Sequence, residues 1–161
     1  MIDRTVVTKT FAYYSFSALA TIALASAAVI GGGPVAMAGP VPGSEKVCTI
    51  TYPTPDDFNV EASSDAYAVP HGDGTLDLIL VTDSHSDVGY EQHFTVTWAN
   101  IDTSRNGQAD VTAQVRGSST TLVVPGVATK PGKVAFVLGA HNHGSAQNYT
   151  NGDCSVTYTV R

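Results

Sequence analysis

Beyond residue 40, apolar and polar residues alternate in one short run after another, and turn-forming residues separate the runs. This two-residue period constrains the fold more than any other feature of the chain. Side chains alternate across a strand but recur every 3.6 residues on a helix, so these runs bury one face only if they are extended. Cys48, Ile50 and Tyr52 share a face, with Thr49 and Thr51 opposite. Leu76, Leu78 and Leu80 alternate with Asp77, Ile79 and Val81; Phe94, Val96 and Trp98 alternate with Thr95 and Thr97. Ala109, Val111, Ala113 and Val115 follow the same rule, as do Leu122 with Val124 and Val156, Tyr158 with Val160. Val134, Phe136 and Leu138 lie in a run that is apolar on both faces. The reading is strands at 46–52, 75–82, 93–100, 109–116, 120–125, 133–140 and 154–160. About seven strands at this spacing predict an all-β sandwich of two antiparallel sheets. Phe94, Trp98, Phe136 and Tyr158 are its expected core anchors.

The composition fits such a sheet. Only 14% of residues are charged, against about 25% in an average domain. Threonine and serine supply the polar outer faces in place of ion pairs, and threonine is β-branched as well as polar. The formal net charge of −6 argues against nucleic-acid binding, which needs a clustered basic surface.

The first forty residues read as an address. Arg4 and Lys9 precede an alanine-rich apolar run from Phe11 to Ile30, and Gly31, Gly32, Gly33 and Pro34 then break any helix. Ala36-Met37-Ala38 has the small-x-small form of a signal-peptidase site. The expectation is a helical signal peptide over 1–38 and a mature domain over 39–161, with no permanent membrane span after cleavage. An uncleaved anchor is the alternative, because roughly 20 apolar residues can span a bilayer. Loss of Asp3, Arg4 and Lys9 would leave the mature domain one unit more negative.

Export places the two cysteines in an oxidising compartment. Cys48 opens the segment CTITY and Cys154 opens CSVTY. In immunoglobulin-like sandwiches the first and last strands can run parallel, side by side. In-register pairing would set Cys48 beside Cys154, Ile50 beside Val156 and Tyr52 beside Tyr158. A disulfide is therefore expected, closing a ring of about 107 residues worth about 4–5 kcal/mol in the chain-entropy treatment. An antibody-type bridge is not expected, since Trp98 stands too far beyond Cys48 for that pattern.

The segment from Phe94 to Gln114, FTVTWANIDTSRNGQADVTAQ, resembles the middle of small secreted actinobacterial proteins with an immunoglobulin-like sandwich, and the alanine-rich leader is similar too. The resemblance implies an exported envelope or extracellular domain and carries no catalytic residues.

Chemistry is confined to loops in this reading. The loop after strand 75–82 holds Asp83, His85 and Asp87, and the loop after 133–140 holds His141 and His143. Both are expected at one end of the sandwich, where three imidazoles and two carboxylates would suit zinc or copper. Residues 102–110, DTSRNGQAD, have oxygen ligands at calcium-loop offsets but lack the closing glutamate; a hairpin turned by Asn106-Gly107 is the stronger reading. The 53–74 segment, acidic and bearing Phe58 and Tyr67, is expected to be a solvated connection, part of it an extra edge strand. Nucleophile-elbow, phosphate-loop and metalloprotease-helix motifs do not occur. The expected function is non-catalytic binding or structural work, secreted or at the cell envelope, with a protein or glycan partner and no cofactor. An exported metal-binding protein is the alternative, and a two-carboxylate carbohydrate hydrolase a distant one.

Overall fold

A computed structural model describes residues 42–161; the leader expected over 1–38 lies outside the described residues. Eight strands follow one another: β1 Glu45–Thr54, β2 Asp57–Pro70, β3 Thr75–Asp83, β4 Tyr90–Asn100, β5 Asn106–Val115, β6 Ser118–Ala128, β7 Gly132–His143 and β8 Tyr149–Val160. They form two four-stranded antiparallel sheets, ordered β1-β2-β3-β6 and β5-β4-β7-β8. The chain crosses between sheets at β3–β4, β5–β6 and β6–β7. This is the sandwich the alternation predicts, and β3 to β8 follow the B-C-C′-E-F-G connectivity of immunoglobulin-like sandwiches.

The inward faces are those the period assigns. Ile50, Leu76, Leu78, Leu80, Leu122 and Val124 meet Phe94, Val96, Trp98, Val134, Phe136 and Leu138, all buried. Tyr158 is a correction: it is only partly buried, packed against the core from β8, while Tyr52 and Tyr90 lie fully inside. Trp98 faces Gly107 across β4 and β5. A Cβ at Gly107 would stand 2.8 Å from the indole, so glycine there gives the ring its space.

β2 is the second correction. The 53–74 segment is no peripheral connection: β2 lies inside its sheet, bonded to β1 on one side and β3 on the other. Its inward residues are Ala62, Ser64, Ala66 and Ala68, too small and too polar to show as an apolar stripe. Phe58 stays exposed beside a register shift opposite Pro53 and Thr54. The β4–β5 hairpin exists, but Ile101 to Arg105 form its turn; Asn106 and Gly107 already pair with Ala99 and Trp98.

Cys48 and Cys154 are bonded, with a Cα–Cα distance of 6.6 Å. The predicted pairing around them is the third correction. β1 pairs with β2, and β8 with β7, so the bridged strands are edges of different sheets. They run antiparallel: Glu45 interacts with Tyr158, Cys48 joins Cys154, and Gly152 lies against Ile50 and Thr51. The bridge closes one open side of the sandwich.

Two outcomes follow for stability. The Cys48→Ser, Cys154→Ser double variant should lose about 2–5 kcal/mol in urea unfolding, with the transition still reporting one cooperative domain. Gly107→Val should cost about 1–3 kcal/mol by overpacking against Trp98, read from the same curves by tryptophan fluorescence.

Candidate functional site

The outer face of the β5-β4-β7-β8 sheet carries the densest set of chemically active side chains. In β4 the odd-numbered residues Glu91, His93, Thr95 and Thr97 turn outward because Phe94, Val96 and Trp98 must turn in. In β7 the same parity sends Val137, Gly139, His141 and His143 outward. The register then sets His93 opposite His141, Thr95 opposite Gly139 and Glu91 opposite His143. β8 adds Asn151 beside His141 and Tyr149 beside His143.

Each imidazole has a distinct setting. His93 Nε2 lies 3.0 Å from Asp110 Oδ2 on β5. His141 Nδ1 lies 3.0 Å from Asn151 Oδ1, and its Nε2 lies 3.2 Å from Thr95 Oγ1. The His93 and His141 ring centroids are 6.3 Å apart. His143 stacks on Tyr149 at 4.5 Å with nearly parallel planes, and its Nε2 is shielded without a hydrogen-bond partner.

The expected meeting of His85 with His141 and His143 does not occur. His141 and His143 are the last outward residues of β7, not loop residues. His85 stays in the β3–β4 loop, where its Nδ1 lies 2.8 Å from the Glu61 carbonyl oxygen and its Nε2 3.2 Å from Asp83 Oδ2. Asp83 also accepts from the His85 backbone N–H, so the pair folds the loop. Asp83, His85 and Asp87 line a shallow hollow of about 320 Å³ with Gly117 and Ser118. Among the described residues no three histidine, cysteine or acidic side chains stand close enough to hold a metal ion as they are.

Several acidic side chains are committed to backbone N–H groups. Asp102 accepts from the Lys133 N–H at 2.7 Å, Asp77 from Gly126 at 2.8 Å and Asp73 from Thr75 at 2.9 Å. Asp102 thus braces the β7 backbone while Asp110 lies on β5, and the 102–110 segment forms the turn and first residues of the β4–β5 hairpin. Asp56, in the β1–β2 turn, accepts from the backbone N–H and hydroxyl of Ser145 at 2.9 and 3.0 Å, tying that turn to the β7–β8 loop. The Ser145 N–H, with further donors from Ala146 and Asn148, holds the Asp56 carboxyl below its ordinary value.

Directly beneath the histidines lies a buried polar band. Gln92 and Asn142, the inward neighbours of His93 and His141, are register partners, and Gln92 Nε2 donates to Asn142 Oδ1 at 2.8 Å. Gln92 Nε2 also donates to the Tyr52 hydroxyl, and Gln92 Oε1 accepts from Thr82 Oγ1 at 2.7 Å. Ser64 links Thr82 to Tyr52 at 2.7 and 2.8 Å. Asn142 Nδ2 reaches Thr150. Burial, reinforced by the adjacent Tyr52, pushes the Tyr90 phenol above its ordinary range.

Sequence reasoning did not single out His93, Thr95 or Asn151, and it read Asp110 as a calcium-loop ligand rather than as the partner of a histidine. The signal was present in part: His93 shares parity with Thr95 and Thr97. Its partner was hidden because the β4–β7 register joins segments some forty residues apart. Comparison with known proteins adds nothing to this: no protein family matches the chain. No curated protein and no solved structure matches it either.

Gln92→Leu should cost about 1–3 kcal/mol for each buried partner left unsatisfied, chiefly Asn142 Oδ1, measured by urea unfolding at neutral pH. The Asp56 tie makes a pH-dependent contribution. Its folded carboxyl lies below the unfolded value of 3.8, so the stabilisation is fully present above that value and is lost as pH falls through the folded one. Stability curves of the wild-type chain and Asp56→Ala should differ at neutral pH and converge in acid.

Proposed function

We propose that the chain is an exported, non-catalytic binding or structural domain, working at the cell envelope or outside the cell through the outer face of the β5-β4-β7-β8 sheet. The observation that carries this reading is the Cys48–Cys154 bond. A structural disulfide persists in an oxidising compartment and is rare in a reducing one. The signal-peptide pattern in residues 1–38 supports the same compartment. Among the described residues no helix is long and apolar enough to cross a membrane.

The partner chemistry follows from the face. Hydroxyls, amides, carboxylates and imidazoles share the outward face of this sheet, with Tyr149 well exposed at the start of its edge strand β8. Such a surface suits many shallow hydrogen bonds and one aromatic contact, as a glycan or a polar protein surface would make. The hollow near the β4–β5 turn, about 400 Å³ and lined by Thr97, Ala99, Gln108, Ala135 and Val137, extends the same face.

One experiment tests compartment and face together. The chain is expressed in a bacterial host with its leader, fractions are alkylated, and the purified protein is offered to isolated cell envelopes. The expected product begins at Gly39, has no alkylatable thiol, and binds envelopes more weakly as Tyr149→Ala than as Phe58→Ala, a substitution in the other sheet. Cytoplasmic retention with both thiols free would overturn the export reading. Envelope binding indifferent to Tyr149 would overturn the choice of face.

A further inference from the structure

We propose that His93 and His141 form a cross-strand binding site for a divalent transition-metal ion, with copper(II) the most tightly held. The two rings stand opposite each other on adjacent strands, with centroids 6.3 Å apart. An ion about 2.0 Å from one nitrogen of each ring holds the two centroids within about 6 Å. The χ2 torsion of histidine is soft, so a small swing closes the pair on one ion.

Each ring already has an orienting partner and a nitrogen to spare. Asn151 Oδ1 can only accept, so His141 Nδ1 carries the proton facing it and Nε2 presents its lone pair. That lone pair now receives the Thr95 hydroxyl at 3.2 Å, a neutral partner that an ion displaces. On His93 the Nε2–H donates to the Asp110 carboxylate at 3.0 Å, leaving Nδ1 with the lone pair. A ligating histidine whose other nitrogen bonds to a carboxylate or carbonyl oxygen is the usual arrangement at metal sites, where that partner fixes tautomer and ring direction.

The backbone makes room for this. Gly139 has no positive φ to require a glycine, yet a Cβ there would stand 2.7 Å from Thr95 Oγ1 and 2.9 Å from His141 Nε2. The residue is small so that the imidazole can lie over it. Below, the Gln92–Asn142 hydrogen bond clamps the two strands at the rows that carry the histidines, so the Cα separation of the pair is set before an ion arrives. Two imidazoles with water completing the shell suit a tetragonal copper(II) ion, and the same ligands hold nickel(II) and zinc(II) less tightly. This site differs from the three-histidine loop cluster expected from sequence: His85 has no part in it.

The test is a calorimetric titration of copper(II) chloride into the full chain, prepared without a polyhistidine tag, in a buffer that does not chelate. One ion should bind per chain. Asp110→Asn should weaken binding about 10-fold. His93→Gln and His141→Gln should each weaken it further, while His85→Gln and His71→Gln leave it unchanged. Zinc chloride should compete for the same site with lower affinity. On the wild-type chain, substoichiometric copper should broaden the imidazole proton signals of His93 and His141 before those of His71 and His85, a measurement independent of any variant's folding. Absence of binding, wild-type affinity in either His93→Gln or His141→Gln, or broadening centred on another histidine would each overturn the proposal.

Discussion

A buried glutamine needs its hydrogen bonds, and Gln92 has them in only one arrangement of the two sheets. Its amide donates to Tyr52 from β1 and Asn142 from β7, and its carbonyl accepts from Thr82 on β3. An apolar core tolerates sliding by a residue pair, because one methyl contact resembles another. A satisfied polar band does not, because each unpaired buried group costs about 1–3 kcal/mol. Slipping β4 against β7, or one sheet over the other, would orphan several groups at once. The Gln92 band therefore specifies the alignment, whereas the leucines, valines and aromatics around it supply the driving force of burial.

That division explains what could be read in the sequence. Apolar alternation located seven of the eight strands and the side of each that faces inward, since burial is a property of single residues and their parity. β2 escaped because its inward positions hold Ala62, Ser64, Ala66 and Ala68. Neighbouring strands bring Tyr52 and Leu78 and Leu80 to the same interior, and small residues opposite them carry little hydrophobic signal. The disulfide partners were legible from a count of two, but the sheets they belong to were not. Parallel in-sheet neighbours and antiparallel edges of facing sheets both bring two Cα atoms within disulfide reach.

The histidines show the same limit. Parity places His93, His141 and His143 on an outward face; register decides which meet. Strand β7 runs three residues beyond the expected boundary, which takes His141 and His143 out of the loop and onto the sheet. His85 remains in its loop, held by Asp83 and by the Glu61 carbonyl. Long-range pairing is set by the whole core, including the polar band behind these residues, and no local pattern encodes it.

The position of the Cys48–Cys154 bond also decides how the domain carries load. The bonded residues stand 106 apart in sequence yet lie close to the two ends of the folded region. Tension applied at those ends enters through the first strand, crosses the sulfur atoms and leaves through the last. The residues inside the covalent ring, with the sheet pairings they make among themselves and the histidine face, lie off that line of force. Stretching can unravel only the short tails outside the ring, so the domain behaves as a nearly inextensible link while its surface keeps its shape.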